Sequence, residues 1–349
     1  MKKLLETSDL KDYLGIAGPL SSAVPPCRAV SMTIRCRPMR RKDVAECVEI
    51  VATNPVTARR YGTLISVLCK VWLHLLGREA FRAFVFEESE NAHFRTFGTA
   101  VTAFVSDEFL TELKTPPFTW IGPELVRRVM QGSPPLLSDR EVREANANGG
   151  LNIVVWEAMT PASYMGRREV IEAFFTEYVE QHRGFLVKEI LTQSQTAEVM
   201  DGQLRSGGFL LDERGDYMAV VHGSLNEIAS RPHIVGLSRD MAFRNWGTWM
   251  SRLFIYHAPR FGFRPSGQRL LLKALRGGTD EDLADELCIS LSAVKKAWLL
   301  IYERVSECDP ELVQYRCWEE GNSGRGKTKK QRLLAYLREH MEELRPTAP

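Results

Sequence analysis

Little in this chain commits it to a chemistry at first sight. Its seven cysteines (Cys27, Cys36, Cys47, Cys69, Cys288, Cys308, Cys317) include no C-x-x-C pair, and no histidine stands at zinc-partner spacing. An odd, scattered set excludes a disulfide framework and a zinc knuckle, and it fits the reduced thiols of an intracellular protein. His74, His93, His182, His222, His233, His257 and His340 have no ligand set around them, so no metal is expected. No apolar run approaches the ~20 residues of a membrane-spanning helix. The opening MKKLLETSDLKDYLG interrupts its leucines with Glu6, Asp9 and Asp12, which spoils a signal-peptide core. A net charge of only +2 means that any basic surface must be local. What remains is a soluble, cytoplasmic, globular chain of 349 residues, enough for one large domain and one small one.

The most informative stretch is Ser266 to Val305. Leu270, Leu271, Ala274 and Leu275 make a helical stripe that Gly277-Gly278 stops. Thr279 offers an N-cap oxygen to the next helix, with Asp282 three residues on as its capping-box partner. Asp280, Glu281 and Asp282 suit the positive end of that helix. A brief turn, Leu287 to Ser290, leads into a third helix with Ser290 as cap and Val294, Ala297, Trp298, Ile301 and Val305 inward. Two short helices around a tight turn, the second with basic residues outward, make the helix-turn-helix pattern.

The run GGTDEDLADELCISLSAVKKAWLLIYERV resembles the LuxR-type winged-helix-like DNA-binding domain. Gly277, Thr279, Leu283, Ala284, Leu287, Ile289, Ser290, Val294, Lys295 and Ile301 stand in matching places. The run departs from the pattern at Ala293, Ala297 and Gly267, and Leu299 and Leu300 replace polar or basic residues. The resemblance implies a dimeric regulator that places its third helices in successive major grooves of double-stranded DNA. Ser292 and Ala293 would lie near base edges, with the cap residue Ser290 in the same DNA-binding set, Lys295 and Lys296 on phosphates, and Leu299 and Leu300 against thymine methyls, in the core or at a dimer contact. Arg325, Lys327, Lys329 and Lys330, read as a basic loop with Arg332 beside them, would add phosphate contacts. The string Gly321 to Thr328 fits G-x-x-x-x-G-K-T literally. Too few residues follow it to supply the parallel sheet a phosphate loop needs, so it is read as a chance match.

Earlier in the chain, periodicity predicts a strand at residues 33–39 and a helix in RRKDVAECVEIVATNP closed by Asn54-Pro55. A second helix runs from Tyr61 to Arg78, followed by the hairpin FRAFVFEE and FRTFGTAVTAFV. After an insertion, Pro116 to Gly150, come the strand LNIVVWEAMT, the helix RREVIEAFFTEYVEQHRG and the strand FLVKEILTQ. The helix TAEVMDGQLRSGGF and a last strand DYMAVV complete the series. This order resembles the GNAT (N-acetyltransferase) fold over residues 32–222, with Gly208-Phe209 as its Gly-Phe signature. That resemblance implies a pyrophosphate-binding turn at residues 160–168. The turn has one glycine, Gly166, with Arg167 and Arg168 as the available cations. Leu204 occupies the place of the family's general-acid tyrosine. No catalytic residue is assigned on this basis, and Glu157 is the carboxylate nominated as base if acyl transfer persists.

The expected architecture is therefore a GNAT-like α/β domain, a mixed sheet with flanking helices, plus a small all-α helix-turn-helix domain. The expected partition is an extension (1–31), the α/β domain (32–222), a docked linker (223–262), the helix-turn-helix domain (263–320) and a basic loop with a final helix (321–349). Trp246, Trp249 and Trp298 are expected to pack between linker and DNA-binding unit. The expected function is a DNA-binding regulator without a cofactor, more a sensor than an enzyme. The alternative is an acyl-CoA-dependent N-acyltransferase with an appended helical module.

Overall fold

The computed structural model describes residues 33–90, 93–164, 167–218, 221–313 and 325–346. The chain forms two compact units. One contains the residues up to Asp139 with Asn152–Glu180 and Lys188–Phe254; the other contains Arg140–Leu151, Gln181–Val187 and the residues from Ile255 on. Most of the expected linker, up to Phe254, counts with the first unit, and short pieces near 145 and 184 count with the second.

A seven-stranded sheet runs through the first unit in the order β1-β2-β3-β4-β5-β7-β6. The strands are β1 (Thr33–Pro38), β2 (Phe81–Glu90), β3 (His93–Val105), β4 (Leu151–Met159), β5 (Val187–Thr192), β6 (Phe209–Leu210) and β7 (Val235–Ser238). The helices before β4 are α1 (Val44–Thr53), α2 (Pro55–Tyr61), α3 (Ile65–Leu75), α4 (Asp107–Lys114), α5 (Ile121–Met130) and α6 (Asp139–Ala147). Then follow α7 (Arg168–His182), α8 (Ala197–Arg205), α9 (Leu225–Ser230) and α10 (Arg239–Arg244). The mixed sheet with flanking helices is as expected. The last strand is not: residues 216–218 make only a bridge, Tyr217 to Leu211, and 219–220 lie outside the described residues. The strand beside β5 is β7 instead, inside the expected linker. Gly236 permits it, because a Cβ there would press on the Leu191 side chain at 2.6 Å.

β1 to β4 pair antiparallel in sequence. Leu151 N donates to Leu186 O at 2.7 Å where β4 and β5 begin, so these two neighbours start side by side and run parallel. The α7 crossover between them is the unit a parallel pair requires. In β4 the register slips: Val101 faces Glu157 while Thr102 faces Val155, leaving Trp156 as an extra residue. Such a bulge turns consecutive side chains to one face. Trp156 packs edge-on to Trp72 and Phe81 on the face that carries α3.

The second unit contains α11 (Pro265–Ala274), α12 (Asp280–Leu287), α13 (Leu291–Cys308), α14 (Pro310–Val313) and α15 (Arg325–Glu339). Thr279 and Asp282 form the capping box, with Asp282 N donating to Thr279 Oγ1 at 3.2 Å and Thr279 N to Asp282 Oδ2 at 2.7 Å. Cys288 takes the left-handed conformation after α12 (φ 53°), and Ser290 caps α13. Leu270, Leu271, Leu283, Val294, Trp298, Ile301 and Val305 share one core with Leu333 and Leu337 of α15. The stretch expected as a basic loop is helical from Arg325, since lysine and arginine favour helix even without an apolar stripe. Among the described residues no helix is long and apolar enough to cross a membrane.

Candidate functional site

A cavity of about 660 Å³ opens where β4 and β5 end. Its walls include Glu157 and Met159, which share a face with Val101 and Thr99, and Val155 and Ala158, which share the other with Thr102 and Ala100. Ile190 and Thr192 of β5, and Gln193 just after it, line it too, so side chains from both faces of the sheet border the cavity at the strand ends. The carboxyl ends of parallel strands are where α/β folds leave a crevice for ligands.

Glu157 is the ionisable centre of this space. The bulge and the α2 helix decide its surroundings. Asn54 Oδ1 accepts from Val56 N and Thr57 N, and Pro55 occupies the first turn, so a new helix starts at a dipeptide expected only to end one. That helix delivers Arg60 and Tyr61. Tyr61 Oη donates to Glu157 Oε1 at 2.7 Å and accepts from Trp156 Nε1 at 3.1 Å. Gln195 Nε2 lies 3.3 Å from Glu157 Oε2. Burial pushes the Glu157 carboxyl up to about 7, against the opposing pull of the Tyr61 hydrogen bond and the Arg60 charge. Tyr61 is raised well above the ordinary phenol range, first by burial and then by the Glu157 charge, so it stays a donor.

Arg60 is held away from a direct ion pair. Its guanidinium lies 3.8 Å from the Trp120 ring centroid and donates to Ser194 O at 2.7 Å. His233 supports that turn from beneath: its Nε2 accepts from Ser194 N at 2.9 Å, and burial pushes its ring down to about 4, which keeps it neutral. Gln193 ties α5 to the end of β5, accepting from Ile121 N and donating to Thr119 O, each at 2.7 Å. In α5, Gly122 faces the Tyr61–Glu157 pair. A Cβ there would stand 2.9 Å from Glu157 Oε1 and collide with the Tyr61 hydroxyl. This arrangement can take a proton from a nucleophile near neutral pH inside a mostly apolar cleft.

No family model matches the chain. No curated protein matches it either. Solved acetyltransferase structures do. An acetyltransferase from Streptococcus agalactiae is 7% identical and matches over 60% of this chain and 99% of its own, with a TM-score of 0.35. A GNAT-family acetyltransferase from Staphylococcus aureus is 8% identical over 59% and 99%, at 0.31. The aminoglycoside acetyltransferase AAC(6')-Ib in complex with coenzyme A is 12% identical over 61% and 98%, at 0.32. TM-scores this low leave the chemistry to be read from the cavity.

The residues expected at a pyrophosphate turn are only partly in place. Arg168 lines the cavity but donates to Glu172 Oε1 at 2.6 Å, and the Arg167 guanidinium lies 4.8 Å from the Tyr164 ring centroid. Gly166 lies outside the described residues. Leu204 packs in a small cluster with Met200 and Leu210, so the phenol near the base comes from Tyr61 instead. Trp249 was expected at a junction; it lines the cavity, 5.1 Å from the Phe175 ring, while Trp246 is exposed and stacked on Phe243.

On α13 the expected residues share one exposed surface. Ser292, Lys295, Lys296, Leu299 and Leu300 are exposed, the two leucines at 62% and 54%, so neither is core. Ser290 Oγ accepts from Ala293 N at 3.2 Å, so the hydroxyl serves the helix end. Lys330 does not belong to this set. It pairs with Asp280 at 2.8 Å and stacks on Trp298, whose Nε1 donates to Asp280 Oδ1 at 3.2 Å. Lys329 is half-buried on α15, and the side chains of Arg325 and Lys327 lie outside the described residues.

Proposed function

We propose that the α/β unit is an acyl-CoA-dependent N-acyltransferase with Glu157 as general base. The observation that carries this reading is a buried carboxyl, bonded by Tyr61 and near Gln195, in a mostly apolar cavity where β4 and β5 end; burial pushes it up to about 7. An amine near Glu157 would lose its proton to the carboxylate as its nitrogen bonds to the thioester carbon. The carbon–sulfur bond breaks, and the thiolate takes a proton from solvent. Tyr61 orients the carboxylate, while Gln195 and Arg60 bias it toward ionisation. The backbone at the carboxyl ends of β4 and β5, which border the cavity, would meet the amide-containing donor arm. Arg168 and Arg205 at the cavity wall, each also bonded to a carboxylate of its own helix (Glu172 and Asp201), would meet its phosphates.

The test is a spectrophotometric thiol-release assay on the full chain, with acyl-CoA and a panel of primary amines. The expected result is turnover whose kcat/KM rises with pH through about 7, as the base ionises. Absence of turnover together with absence of coenzyme A binding would end the proposal.

A separate observation favours a second activity in the C-terminal unit: the capped α13 helix leaves Lys295, Lys296, Leu299 and Leu300 outward together. We propose that this surface enters the major groove of double-stranded DNA, as a homodimer, with the lysines on phosphates. A salt titration of duplex binding by anisotropy checks it; no binding at low salt would exclude it.

A further inference from the structure

The face of the cavity away from Glu157 is not shaped for a two-carbon acyl group. Its sheet floor is made of small residues: Ala100 lies opposite Ala158, and Thr102 opposite Val155. Gly98, next along β3, has the Phe174 ring where its Cβ would be, at 2.9 Å. The roof is α7, which contributes Ile171, Phe174, Phe175 and Tyr178. Trp249 and Met250, from the segment after α10, close the side, with Met250 N bonded to Ser206 O at 3.0 Å. Charged groups gather elsewhere on the wall, as Arg168, Glu198, Asp201 and Arg205.

Protein interiors ordinarily fill such space, because an empty volume forfeits dispersion contacts on every wall. Here Phe174 closes on Gly98 and stacks on Phe86 at one end, while Thr102, Val155, Ile171, Phe175 and Tyr178 line the space left open. The slot follows α7 from Ile171 to Tyr178, about 10 Å at a rise of about 1.5 Å per residue. A mostly apolar slot of this length suits hydrocarbon. Resting on the acyltransferase reading above, we infer that the donor is a medium- to long-chain acyl thioester, with its alkyl tail between α7 and the β3–β4 floor. Acetyl would leave most of the slot empty. The reacting carbonyl then sits at the carboxyl ends of β4 and β5, and the amine approaches from the Glu157 face.

The experiment is calorimetric titration of the full chain with coenzyme A and with acetyl-, butyryl-, hexanoyl-, octanoyl- and decanoyl-CoA. Each methylene buried should tighten binding about fourfold, giving a gain on the order of a thousandfold over the six added from acetyl to octanoyl. Ala100→Leu and Val155→Phe, each checked for an unchanged circular-dichroism spectrum, should flatten that slope by filling the floor. Equal affinity across the series, with coenzyme A still bound, would overturn the chain-length inference and leave the acyltransferase. No binding of any thioester or of coenzyme A would overturn both. A steep slope unchanged in both variants would place the tail elsewhere and overturn the assignment of this slot.

Discussion

The Glu157 site and the α13 surface are built on opposite principles. The first draws on α2, α5, β4 and the turn after β5, from residues as far apart in the chain as Tyr61 and Gln195. It is buried, and its chemistry comes from that burial: the same carboxyl in water would titrate in the ordinary range. The second comes from a single helix and its cap, is exposed, and owes its character to side-chain type alone. A site that works by desolvation needs the whole fold to exist; one that works by display needs only a helix with a well-defined face.

Glu157→Gln should separate the two most sharply. Activity at pH 8 should fall by about 10²–10⁴-fold, while duplex binding by the α13 surface stays as it was. Stability should move the other way. Glu157 binds its proton more tightly folded than unfolded, so its stabilising contribution is complete below about 4.5 and lost as pH rises through about 7. Across that window urea denaturation should show a loss of about 3 kcal/mol in the parent and a much smaller one in the variant. A parent curve flat in this range would mean that the carboxyl is not desolvated.

Gly122→Ala sets local against tertiary control. Helix propensity alone gives alanine an advantage of about 0.8–1.0 kcal/mol. The collision with Tyr61 and Glu157 should reverse that into a loss of about 1–3 kcal/mol. A variant more stable than the parent would show that the Tyr61–Glu157 pair has room to spare.

On the exposed side, Lys295→Ala with Lys296→Ala should reduce the slope of log K against log salt by about 2 if both lysines meet phosphates. An unchanged slope would remove them from the contact. The smallest effect is expected from Thr279→Ala, about 1 kcal/mol from the lost cap, read as a shift in the thermal unfolding of the C-terminal unit. It should leave turnover at Glu157 untouched.

Legibility followed the same divide. The α11 to α13 helices could be read because caps, glycine stop and apolar stripe all lie within forty-odd consecutive residues. The hairpin and the β4-α7-β5 unit were equally plain from their periodicity. Asn54-Pro55 does end α1, as expected, but the same pair also begins α2; its N-cap chemistry is the signal that reveals that helix, and with it Arg60 and Tyr61. β7 escaped notice because it is short and contains Gly236, chosen for clearance against Leu191 and not for strand propensity. The bulge at Trp156 has no signature in sequence, so the common face of Trp156 and Glu157 could not be foreseen.

By itself the sequence determined the helices, their caps, the order of the main strands and the outward display of Lys295 and Lys296, since each depends on neighbours within a few turns. Only the tertiary structure decided that Glu157 would meet Tyr61, that Lys330 would be taken up by Asp280, and that a slot would stay open beneath α7. The physical reason is that desolvation and void space are properties of what surrounds a residue, and those surroundings come from remote parts of the chain.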